Sequence, residues 1–127
     1  MYKLQEGVLT CTLPTGSVIS QSFHPQTNEP VTEINAREVL KACISADQWD
    51  ALCKLEGIEF EGVMCSATKD DQSGVMAVLM TYQMQGDGFT PTRFEFSNGN
   101  ALVLTKTNMM AFAGVWMPFR KRFFMPN

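Results

Sequence analysis

Residues 75–84 read VMAVLMTYQM, and the conformation of this decapeptide decides the architecture. The stretch is apolar on both faces for most of its length. Its Val, Thr and Tyr content and the glycines on either side, Gly74 and Gly86, favour strand over helix. A strand without polar alternation belongs in the middle of a sheet, covered on two sides. Val75 to Tyr82 is therefore expected as the central strand. A turn over residues 69–74 (KDDQSG) would precede it, and a flexible loop from Gln85 to Pro91 would follow.

Working outward, residues 58–66 read as a further strand, with Ile58 and Phe60 inward and Glu59 and Glu61 outward. On the other side, Phe94 and Phe96 alternate with Arg93, Glu95 and Ser97. Asn98-Gly99 then signals a two-residue type I′ turn, in which both residues need positive φ, and residues 101–105 return as a strand. After Thr105, a candidate N-cap, the period changes. Met109, Phe112, Ala113 and Trp116 recur at helical steps, and Leu104 can pack on Met109 as a hydrophobic staple. Pro118 is expected to end or kink that helix.

Upstream, residues 8–23 form a hairpin around Pro14-Thr15-Gly16, with Ile19 and Phe23 on one face of the second strand. Residues 24–30 (HPQTNEP) are a polar loop, which makes His24 a surface residue. Two short helices follow. Asn35 with Glu38, and Ser45 with Gln48, are capping boxes; Ile34 with Val39, and Ile44 with Trp49, are the matching staples. Gly57 stops the second helix. The resulting expectation is an α+β fold: an antiparallel sheet of about six short strands, two short central helices and a C-terminal helix. Its parts are the N-terminal hairpin 8–23, the helical pair 36–56, the sheet strands 58–105, and the helix with its tail 106–127, all in one domain.

The length of 127 residues suffices for a core without metals or disulfides. No apolar run is long enough to span a membrane, and MYKLQEG is not a signal peptide. Cys11, Cys43, Cys53 and Cys65 form no C-x-x-C pair and His24 is the one histidine, a poor donor set for zinc. Buried free thiols in a reducing cytoplasm fit better. No cofactor is implied. The net charge of −3 disfavours direct nucleic-acid binding, and the second short helix carries Asp47, Asp50 and Glu56, the wrong sign for a recognition helix.

No catalytic motif stands out, so the chain reads as a non-enzyme. Two surfaces draw attention instead. The tail has Arg120, Lys121 and Arg122 between Phe119 and Phe123-Phe124. Burying three adjacent cations is costly, and leaving the phenylalanines bare makes an apolar patch. Trp116, Phe119, Phe123 and Phe124 are therefore expected to form a surface completed by another chain, with Arg120 and Arg122 pairing acidic groups at its rim. The alternative is an acidic patch of Glu59, Glu61, Asp70 and Asp71 that mimics nucleic acid and inhibits a host nucleic-acid-binding protein. Between positions 47 and 71 there are seven carboxylates against two lysines. An enclosed polar pocket, marking a small enzyme or ligand-binding domain, is the third reading.

The opening GVLTCTLPTGSVIS (residues 7–20) and the close FEFSNGNALVLTKTNMMAFAGVWMPFRKRFF (residues 94–124) resemble small accessory or structural proteins of tailed bacteriophages. The resemblance implies a virion-associated or assembly role without catalysis, in the host cytoplasm or the virion. Together these readings give a protein that acts through protein–protein contacts, with a partner or as a homo-oligomer.

Overall fold

The computed structural model describes residues 1–123. Among the described residues there are four α-helices and seven strands, and the strands form three small antiparallel sheets instead of one. The chain divides into two compact units, residues 1–53 and residues 54 onward.

The first unit opens on a three-stranded meander: β1 (Lys3–Gln5), β2 (Val8–Thr12) and β3 (Val18–Gln21). Gln5 pairs with Val8 across Glu6-Gly7, and both turn residues have positive φ, the type I′ geometry that suits strand twist. The β2–β3 turn forms around Pro14-Thr15-Gly16 as expected, with the Gly16 N–H donating to Leu13 O at 2.9 Å. Two helices follow, α1 (Ala36–Cys43) and α2 (Ala46–Glu56). Leu9, Cys11 and Leu13 from the sheet pack with Val39 and Leu40 of α1 and Leu52 of α2.

Three local expectations need correction here. Asn35 does not cap α1 through Glu38. Its Oδ1 accepts the Thr32 N–H at 2.7 Å and its Nδ2 donates to Pro30 O, so the box is Thr32–Asn35, one turn earlier. Ile34 then lies inside that capping turn, 97 % exposed, and cannot staple to Val39. Phe23 is exposed too, while His24 is buried: His24 Nδ1 accepts the N–H groups of Gln26 and Thr27 and closes its own loop. The Ser45–Gln48 box is present in both directions, at 2.9 and 3.1 Å.

The second unit contains the hairpin β4 (Ile58–Phe60) with β5 (Val63–Cys65), helix α3 (Lys69–Gln85), the hairpin β6 (Thr92–Glu95) with β7 (Ala101–Leu104), and helix α4 (Met109–Lys121). Residues 58–66 are thus two strands. Glu61-Gly62 is another turn with two positive φ angles, and Phe60 pairs with Val63 across it. Residues 75–84 are not a central strand but the body of α3. The cause lies upstream: Thr68 and Asp71 form a complete capping box, with acidic residues in the first turn, exactly where the sequence suggested a turn.

The inward stripe of α3 is Asp71, Val75, Val78, Leu79 and Tyr82, at helical spacing. Gly74 is tolerated mid-helix because the Phe94 ring occupies its flank; a Cβ there would lie 2.5 Å from the ring. The Asn98-Gly99 turn also differs from expectation. Phe96 N–H reaches Asn100 O, only Gly99 has positive φ, and the loop has three residues, 97–99. Pro118 does not end α4, which continues to Lys121 because Phe119 and Arg120 beyond it pack inward.

Thr105 does not cap α4 directly: the N-cap is Asn108, without a side-chain bond of its own, and the Thr105–Asn108 box lies one turn earlier, as Thr32–Asn35 does before α1. The Thr105 hydroxyl accepts the Asn108 N–H at 3.3 Å while Asn108 Oδ1 accepts the Thr105 N–H at 2.7 Å. Gly57 ends α2 at φ +84°, with its Cα packed against β5: a Cβ would sit 2.0 Å from Cys65 O. Gly57→Ala is expected to lose about 2 kcal/mol or more, from left-handed strain and this clash. Urea unfolding measures it; an unchanged midpoint would mean that the corner rearranges freely.

Candidate partner-binding surface

A buried, fully hydrogen-bonded carboxylate lies in the second unit. Asp71, 2 % exposed, receives hydrogen bonds on both carboxylate oxygens. Oδ2 accepts from Ser66 Oγ (2.5 Å), Thr68 N–H (3.0 Å) and Thr68 Oγ1 (2.9 Å). Oδ1 accepts from Ser97 N–H (2.7 Å) and Ser97 Oγ (3.0 Å). Burial alone would push its carboxyl up. The bonds from Ser66, Thr68 and Ser97 outweigh that and hold the pKa below the usual carboxylate range.

The network spreads outward. Asn98 and Asn100 each donate a side-chain N–H to Met64 O at 2.9 Å, and Trp116 Nε1 donates to Ser66 O at 2.9 Å. One carboxylate therefore ties the end of β5, the start of α3, the β6–β7 loop and α4 together. Ser66 is fully buried and its hydroxyl is committed to Asp71, so this constellation holds the fold and presents no nucleophile to solvent. The sequence reading missed Ser66, Thr68 and Ser97. The T-x-x-D pattern at residues 68–71 was the available signal.

The expected acidic patch loses Asp71 for that reason. Glu59, Glu61 and Asp70 are exposed. The expected C-terminal surface is also redistributed. Trp116 is fully buried in the chain's own core, stacked on Phe112 with centroids 6.0 Å apart, and Arg120 is only 6 % exposed. Neither is at a surface, because α4 persists through Pro118 and turns both inward. Phe119 and Phe123 are half-buried and meet edge to face at 5.3 Å. The exposed Arg122 guanidinium lies 5.4 Å from the Phe119 ring centroid and 5.8 Å from that of Phe123; Lys54 Nζ is 5.4 Å from the Phe123 centroid. Phe124 lies outside the described residues.

Among the described residues no disulfide joins the four cysteines, and Cys11 and Cys65 are buried; burial pushes the Cys65 thiol up to about 11, which leaves it protonated at neutral pH. Among the described residues no three His, Cys, Asp or Glu side chains converge as a metal site, and no helix is long and apolar enough to cross a membrane. A cleft of about 160 Å³ opens beside α3, lined by Ala77, Val78, Thr81, Phe89 and Thr92. It is small beside the roughly 300 Å³ or more of ordinary ligand pockets.

No family model, no curated protein and no solved structure matches this chain.

Proposed function

We propose that this chain is a non-catalytic protein acting through protein–protein contacts, and that Phe119, Arg122 and Phe123, with Lys54 beside them, are its contact surface. The observation that carries this reading is the placement of two cations over the Phe119–Phe123 pair. Aromatic faces hold a guanidinium and an ammonium in fixed places, so less side-chain entropy is lost when a partner arrives. Their outward N–H groups suit carboxylates, and guanidinium binds them bidentately. The partner that fits is an acidic segment of another protein. The resemblance to phage accessory proteins supports a virion-associated or assembly setting for that contact.

The test is capture of partner from host lysate by the wild-type chain and by Arg122→Glu and Lys54→Glu. Both substitutions are expected to reduce capture at least tenfold with unchanged circular dichroism. Equal capture by all three proteins would overturn the reading. The competing reading, an acidic nucleic-acid mimic, rests on Glu59, Glu61 and Asp70 alone once Asp71 is in the core. It predicts the reverse pattern, with capture lost on changing those three residues to lysine and kept in Arg122→Glu.

A further inference from the structure

The loop between β6 and β7 carries the chain's one Asn-Gly pair, Asn98-Gly99. Such a pair has chemistry of its own. A backbone nitrogen that follows asparagine can attack the side-chain amide carbon and close a five-membered imide. Glycine in the second position leaves that nitrogen uncrowded. Gly99 stands at φ +89° and is exposed, as is Asn100, so water and hydroxide reach the loop from outside.

The closed loop ties down each group the reaction uses. The Gly99 N–H donates to Phe96 O at 2.9 Å, so the nitrogen keeps the proton it must lose to become a nucleophile. Asn98 Nδ2, the leaving nitrogen, donates to Met64 O at 2.9 Å, and Asn98 Oδ1 accepts the Asn100 N–H at 3.0 Å. The side chain is thereby held to β5 at one end and to its own loop at the other. On the main chain, the Ser97 N–H donates to Asp71 Oδ1 and the Asn98 N–H to Ser66 Oγ. The loop therefore opens only by leaving the Asp71 network, which makes its opening rarer than the fraying of a free turn.

We propose that Asn98-Gly99 is a self-modification site that the fold keeps closed and that reacts irreversibly once the second unit opens. In the open loop the Gly99 nitrogen gives its proton to hydroxide and bonds to Asn98 Cγ. The Cγ–Nδ2 bond breaks, and the amide nitrogen takes a proton from water and leaves as ammonia. Water then opens the imide at either carbonyl, leaving aspartate or isoaspartate at position 98. Water is consumed, ammonia is released, and nothing is oxidised or reduced. Neither product remakes the loop. Both carry a carboxylate where Nδ2 donated to Met64 O, and an acceptor facing an acceptor repels. The isoaspartyl form also inserts a carbon into the main chain between the Asn98 and Gly99 N–H groups, which bond Ser66 and Phe96. A molecule that has opened is thus marked chemically and left easier to open again. The inference rests on no part of the Phe119–Arg122–Phe123 surface.

Peptide mass spectrometry, reading exchange of the amide for a carboxylate at position 98, tests it. The wild type is incubated at neutral pH with and without guanidinium chloride at an unfolding concentration. The unfolded chain is expected to convert at Asn98, and the folded chain at least tenfold more slowly. Asn100→Ala removes the other side-chain tie to Met64 O and is expected to speed conversion of the folded protein at least threefold. Asn98→Asp, a stand-in for the product, is expected to unfold at a lower urea concentration than the wild type. Aged wild type, with its converted fraction separated by ion exchange, gives the same reading on the natural product should Asn98→Asp not fold. An unfolded chain that stays unconverted overturns the site. Equal rates in the folded and unfolded chains overturn the protection by the fold, as does Asn100→Ala converting at the wild-type rate. A converted protein with the wild-type midpoint overturns the loosening.

Discussion

Asp71→Ala is expected to destabilise the second unit by about 3–5 kcal/mol, far more than loss of an ordinary cap. The substitution removes the acceptor for two backbone N–H groups and for the Ser66 and Ser97 hydroxyls. Ser66 is fully buried, so its hydroxyl has no water to turn to. The capping box that starts α3 is lost at the same moment. Asp71→Asn should be nearly as damaging, because an amide presents a donor to groups that are already donors. Urea unfolding of wild type and both variants measures the loss, and unchanged midpoints would mean that the network contributes little.

The same carboxylate sets a pH dependence. Its folded pKa is held below the ordinary value, so the unfolded chain binds the proton more readily. Its contribution is complete above the unfolded carboxylate range, at about pH 5 and higher. It is lost as the pH falls through the depressed folded value. The stability gap between wild type and Asp71→Asn is therefore expected to be constant near neutrality and to close in acid. A gap that persists unchanged in strong acid would mean that the network does not depend on ionised Asp71.

How far the sequence exposed this fold follows from which signals were local. The Pro14-Thr15-Gly16 turn, the Ser45–Gln48 box and the Gly57 stop each involve residues a few positions apart, and each formed as read. Residues 75–84 were misread because their composition is ambiguous and their conformation is set outside them. The helix is nucleated by Thr68 and Asp71, and Asp71 is fixed in turn by Ser97, twenty-six residues away. The Lys69-Asp70-Asp71 run looked like a solvated turn, although a capping box has the same composition. The strand reading, covered on two sides, also hid the exposure of Met80 and Met84 on the outer side of α3. The tail failed differently. Three adjacent cations suggested a contact surface with Arg120 and Arg122 both at its rim, yet the helix turns Arg120 inward and Arg122 outward, as their separation of two residues along a helix requires.

Trp116 gives the sharpest separation between the two roles the sequence allowed it, contact surface or core. Fully buried, it stacks on Phe112, whose ring meets Phe60 edge to face at 5.5 Å and Phe96 at 6.1 Å. Truncation to alanine removes the largest buried side chain of the unit and leaves a cavity among rings that cannot all collapse. The expected loss is about 4–5 kcal/mol. Trp116→Phe keeps most of the apolar volume but removes the Nε1 donor, leaving Ser66 O buried without its partner, for about 2 kcal/mol. Ser66 links this bond to Asp71, its carbonyl serving Trp116 and its hydroxyl serving the carboxylate. Trp116→Phe and Asp71→Asn should therefore be non-additive, with the double variant less unstable than the sum of the singles by about 1 kcal/mol. Urea unfolding of the four proteins, followed by far-ultraviolet circular dichroism, measures that cycle. A Trp116→Ala protein that keeps wild-type stability but loses a binding partner would return Trp116 to the surface role and sink the core assignment.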